Sequence, residues 1–146
     1  MKSSTALAIG GMVAVTALSG CGLAESMAVS SNGHAQPVNY SSGTEGKTNA
    51  DARLPDWVPD QATGIAEIVR TTGTERILRF SSAGSKLPAL CVPGAASTKA
   101  ATLTADWWPK GKESRTTQIC GGDWHTLAEG DVVYAYKPET VANADK

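Results

Sequence analysis

The chain predicts a small α+β domain, a mostly antiparallel sheet of about four strands with one short helix, and three observations lead there. Short segments such as ATLTADWW and GDVVYAYKP alternate apolar and polar residues, the pattern of a strand with one buried face. One segment, TGIAEIVR, instead spaces its apolar residues for a helix. Glycine and proline recur between these segments and leave short links, which favours antiparallel neighbours over long crossovers.

The folded part begins at LPDWVP, residues 54–59, and ends at Pro138. TGIAEIVR, Thr63–Arg70, puts Ile65, Ile68 and Val69 on one helical face, while its β-branched content leaves a strand open. Gly73 then supplies a turn into Arg76–Ser81, a strand with Leu78 and Phe80 on one side. AGSKLPALCVPGAAST is broken by Gly84, Pro88, Pro93 and Gly94 and reads as a loop carrying Cys91. In residues 101–108, Leu103, Ala105 and Trp107 face one way and Thr102, Thr104 and Asp106 the other. PKGKE reads as a turn and RTTQICGG as a second strand, so the three segments predict a β-hairpin. GDVVYAYKP, residues 130–138, is the last strand, with Val132, Tyr134 and Tyr136 on one face. Residues 139–146 carry no pattern and are expected to fray.

Ahead of the domain, Lys2, the apolar run ALAIGGMVAVTAL and the small pair Ser19 and Gly20 have the layout of a secretory signal over residues 1–20. The run is too short for a membrane span, which needs roughly 20 apolar residues. It ends in LSGC, and these four residues in this position resemble the bacterial lipobox. The resemblance implies that Cys21 receives a diacylglyceryl group and becomes the first residue of the mature chain, held at the outer face of the cell membrane. Two acyl chains anchor stably where one binds only marginally. Residues 22–53 are rich in Ser, Gly, Asn, Ala and Thr and lack apolar periodicity, so residues 21–53 predict a lipidated, disordered tether in which His34 is inert. Such a tether would span roughly 30 Å on average and reach on the order of 100 Å at full stretch.

The lipobox resemblance also settles the cysteine arithmetic. With Cys21 committed to lipid, Cys91 and Cys120 remain in an exported domain, where thiols pair; a metal or redox pair is the competing reading, but their spacing matches neither CxxC nor a zinc motif. The fold class is therefore completed by one disulfide, which closes a loop of about 30 residues and stabilises by roughly 3–4 kcal/mol in the chain-entropy account.

Removal of the leader takes away Lys2 and no acid, leaving the mature chain slightly acidic. Arg70, Arg76, Arg79, Lys110, Lys112 and Arg115 are interspersed with Glu67, Glu75, Asp106 and Glu113, which argues against a nucleic-acid partner. No residue pattern implies a cofactor or a metal site. CGGDWHT places Asp123 and His125 where an acid could orient an imidazole base, but no activated nucleophile accompanies them. Four tryptophans against one phenylalanine is the less usual feature, because each indole N–H wants a partner. Alternation assigns Trp107 to the core and leaves Trp108, with Trp124 and His125, as a ligand-binding platform; burial of Trp108 under the helix or residues 54–59 is the competing assignment.

GTERILRF and DWWPKG are similar to segments of actinobacterial envelope lipoproteins, a resemblance that covers residues 54–138 and carries no functional residue with it. The expectation is a lipid-anchored envelope protein, most simply a non-catalytic module that binds an envelope glycan or a protein. A cell-wall hydrolase using Asp123 and His125, or a purely structural component, are the alternatives.

Overall fold

A computed structural model describes residues 33–83, 87 and 90–144. The signal, Cys21 and the first part of the expected tether lie outside the described residues, as do Asp145 and Lys146. The strands are β1 (Ala35–Tyr40), β2 (Thr63–Arg70), β3 (Arg76–Ser81), β4 (Cys91–Pro93), β5 (Gln118–Cys120), β6 (Trp124–Glu129) and β7 (Val132–Lys137). A six-residue helix, α1 (Gly43–Thr48), follows β1, and a 3-10 turn occupies Lys112–Arg115. All seven strands form one antiparallel sheet in the order β1-β2-β3-β7-β6-β5-β4, two meanders joined where β3 pairs with β7.

Mostly antiparallel sheet with one short helix and a disulfide is thus correct, but the strands number seven and not about four. TGIAEIVR is a strand, not the helix its spacing suggested. Ile65 and Glu67 face one core while Ala66 and Ile68 face the other, so burial runs on without alternation. A strand covered on both faces loses the period-two signature that distinguishes it from a helix.

The fold also begins earlier than residue 54. Residues 33–53, expected within the tether, contribute β1 at the sheet edge and α1 above it. Their stability comes less from apolar content than from backbone pairing with β2 and a few close contacts. Tyr40 is buried and its hydroxyl donates to the Ala52 carbonyl. Ser42 caps α1 by accepting from Glu45 N at 3.2 Å, and Glu45 accepts from Ser41 N at 2.8 Å. Gly46 lets the helix lie flat on Leu54, because a Cβ there would fall 2.2 Å from a Leu54 methyl.

The expected hairpin of residues 101–122 is not formed. Residues 101–105 are extended but pair with no strand; they lie across the sheet with Leu103 inward and Thr102 and Thr104 outward. Alternation there reports half-burial of an extended chain, not a ladder. β5 pairs with β6, which begins at Trp124, and with β4 in the segment that reads as a loop. Cys91 and Cys120 face each other across the β4–β5 pair and are bonded.

Both faces of the sheet are buried by irregular chain. On one, residues 52–62 and α1 cover Tyr40, Ile65, Leu78, Phe80, Cys120, Trp124, Val133 and Ala135. On the other, residues 100–108 cover Ile68, Ile77 and Tyr136 with Leu103 and Trp108. The tail does not fray through Ala144. Glu139 accepts from the backbone N–H groups of Thr74, Glu75 and Val141, and Thr72 Oγ1 donates to the Ala144 carbonyl. Gly73 permits this closure, since a Cβ would lie 2.1 Å from the Glu139 carboxylate.

Candidate functional site

The residues expected to form one platform are parted by the sheet. Trp124 lies in the first core, edge-on to Trp57 at 5.9 Å, with the Arg76 guanidinium 5.5 Å from its ring centroid. Trp108 lies in the second core, where it meets Tyr134 edge-on at 6.1 Å and Tyr136 at 6.4 Å. They are 6% and 3% exposed for Trp108 and Trp124, so neither offers a stacking face to solvent. The assignment of Trp107 and Trp108 is reversed: Trp107 is half-buried and Trp108 is core. The two sit in a turn whose Trp108 N–H donates to Ala105 O at 2.9 Å, and strand alternation has no hold on a turn.

The acid–imidazole pair is also absent from the hydrogen bonds of the described residues. Asp123 is exposed and pairs with Lys137 at 2.7 Å, whereas His125 Nδ1 is 3.1 Å from the Ala95 carbonyl. His125 lies beside Ile119 and Tyr136 of the neighbouring strands, whereas Asp123 precedes β6 in a turn and reaches Lys137. Among the described residues no three His, Cys, Asp or Glu side chains converge as metal ligands.

What the structure provides instead is a cavity of about 400 Å³ beside Trp108. Ala100, Ala101 and Leu103 form its apolar wall with the indole, and Thr104, Lys110 and Glu113 supply the polar part. Leu103 was placed inward by alternation; Glu113 carried no sequence signal. The cavity exists because residues 100–113 cross the sheet as a loop pinned at its two ends. At one end Thr102 N and Leu103 N donate to the Glu75 carboxylate at 2.6 and 3.2 Å. At the other, buried Lys112 reaches Glu129 at 2.7 Å and sits 4.2 Å from the Tyr134 ring centroid. That contact lowers the Glu129 pKa.

Two polar atoms of the cavity residues lack protein partners. Trp108 Nε1, a donor, and Glu113 Oε2, an acceptor, are both closed to solvent and without a hydrogen bond. Each such group costs about 1–3 kcal/mol relative to a satisfied one. Behind them Tyr136 donates to the Ala100 carbonyl at 3.2 Å, and burial, with the charges of Glu75 and Glu113, raises its pKa well above the usual phenol range. The tyrosine is therefore a neutral donor that shapes the wall and not a base.

A second hollow of about 510 Å³ lies between β1 and residues 102–104, but its charged member is committed. Arg70 gives its guanidinium to Glu75, Thr102 Oγ1 and the Gly33 carbonyl. Compared with protein-family models, curated proteins and solved structures, the chain matches none.

Proposed function

We propose that the chain is a lipid-anchored protein at the outer face of the cell membrane, whose folded domain is a non-catalytic binding module taking its ligand beside Trp108. The anchor is the reading of LSGC and Cys21. The observation that supports the binding reading is the cavity itself: a concave, mainly apolar space with a few polar groups, of the size that ligand sites occupy. The ligand class that suits it is one apolar side chain or small ring of an envelope glycan or protein, carrying one acceptor and one donor. Such a group would complete Trp108 Nε1 and Glu113 Oε2 once the lining moves to admit it. The Asp123 and His125 hydrolase reading has no comparable support, since each side chain is held by a different partner.

The test is a photo-crosslinking residue at exposed Lys110, installed in the full chain in its native envelope. Adducts that disappear when Thr104, an exposed wall residue, is replaced by tryptophan support the cavity. Adducts unchanged by Thr104→Trp overturn it. The anchor is checked separately with Cys21→Ser, which should abolish membrane retention of a mature-length product.

A further inference from the structure

We propose that the domain stands end-on on the membrane, with the end of the sheet that carries Leu90 and Val141 against the lipid surface; this rests on the anchor at Cys21. The path of the chain carries the argument. The described structure starts at Gly33, which is fixed beside the β2–β3 turn: Arg70 Nη1 donates to its carbonyl, and Thr71 N donates to the His34 carbonyl at 2.8 Å. Since β1 and α1 take up residues once assigned to the tether, only residues 22–32 separate Cys21 from this point. Even fully stretched they reach about 40 Å, far less than the whole segment would allow. The end of the sheet at which Gly33 lies is thus the end where the chain from Cys21 enters the domain.

Register identifies what else is at that end. Ala35 pairs with Arg70, Arg76 with Lys137, and Cys120 with both Trp124 and Cys91, so these residues mark one edge of the sheet across all seven strands. Leu90 is the next residue beyond Cys91, and Val141 is tied to the β2–β3 turn through Glu139. Leu90 and Val141 are 63% and 45% exposed, and Val92, one step along β4, is 55% exposed. These are the exposed large apolar side chains among the described residues, and all belong to the anchored end or the short strand rising from it. Scattered apolar residues need no explanation singly. Their placement at the end where the anchored chain enters fits shallow insertion into the interfacial region, as apolar groups do there.

The lipidated full chain in vesicles of equimolar phosphatidylcholine and phosphatidylglycerol provides the test. With Cys21 acylated and Cys91 and Cys120 bonded, a single introduced cysteine can be labelled with a fluorophore in Leu90→Cys, Val141→Cys or Asp131→Cys. All three positions are exposed, and labelling blocks the thiol at position 90 from exchanging with the adjacent Cys91–Cys120 bond. Headgroup spin-labelled lipid should quench positions 90 and 141 about threefold more than position 131, as interfacial contact within roughly 5–10 Å requires. Equal quenching of chains that float with the vesicles overturns the end-on orientation and leaves the anchor intact. Flotation that survives Cys21→Ser, or no flotation of the acylated chain, overturns the anchor and the orientation with it.

Discussion

Glu67 on β2 and Glu75 at the foot of β3 are both closed to solvent within one hairpin, yet their carboxylates are treated in opposite ways. Glu75 accepts from Arg70 within the hairpin, and from Thr102 N, Leu103 N and the Thr102 hydroxyl, which tie the loop over the second core to it. Glu67 has a counterion, Arg76 Nη2 at 2.6 Å, but neither of its oxygens meets the geometry of a hydrogen bond. Burial pushes its pKa up to about 7, against the lowering effect of Arg76. The lesson is that burial and pairing do not by themselves make a charge stabilising. The hydrogen bonds that replace water decide the matter.

The largest expected effect follows from Glu75. Glu75→Ala leaves the Arg70 guanidinium, 4% exposed, with only Glu139 at 3.8 Å as an ion partner, and two loop N–H groups without their acceptor. Loss of about 3–5 kcal/mol is expected, the usual cost of breaking a buried pair from one side. Urea unfolding at neutral pH measures it, and Glu67→Ala measured alongside should cost clearly less. Equal losses would end the distinction between the two glutamates.

Neither carboxylate was legible as buried. In TGIAEIVR, Glu67 reads as the polar member of a helical pattern, because a sequence does not show that a second layer covers the other face. Glu75 reads as one of the interspersed surface charges, since its partners Thr102 and Leu103 are distant in the chain. What was legible rested on local rules: the Arg76–Ser81 strand with Leu78 and Phe80 together, the shared face of Val132, Tyr134 and Tyr136, and Leu103 turned inward. The paired Cys91 and Cys120 also belong here, although that reading came through the lipobox. The candidate site was half legible. Trp108 is part of it, but the wall opposite is assembled from Ala100, Lys110 and Glu113, whose convergence depends on how the loop is pinned. β1 was missed because an edge strand can be stabilised by backbone pairing while its side chains remain polar.

Next in size is the tail. Burial would raise the Glu139 pKa, but donation by the backbone N–H groups of Thr74, Val141 and Glu75 outweighs it and holds the group at about 2. A depressed folded pKa gives stability that is present above the unfolded value near 4.5 and is lost as pH falls toward 2. Glu139→Gln should therefore cost about 2 kcal/mol at pH 7, the scale of charge-assisted hydrogen bonds, and almost nothing at pH 2. Thermal unfolding of both chains across that range tests it. A cost independent of pH would mean that Glu139 acts by packing and not as a carboxylate.

The smallest effect has the opposite sign and comes from Glu67. Its folded pKa, about 7, lies above the unfolded value near 4.5, so folding favours the protonated form. The stability this contributes is fully present below about pH 4.5 and is lost as pH rises through 7. Between pH 5 and pH 8 the urea midpoint should accordingly fall, by an amount equivalent to roughly 1–2 kcal/mol. Glu67→Gln keeps the shape and a donor while removing the proton equilibrium, and its midpoint should be nearly flat over the same interval. Arg76 would not be stranded by this change, because it is half-buried and also donates to the Arg53 carbonyl at 3.0 Å over the first core. If the fall persists unchanged in Glu67→Gln, the buried carboxylate is not its origin, and the contrast with Glu75 is then one of hydrogen-bond count alone.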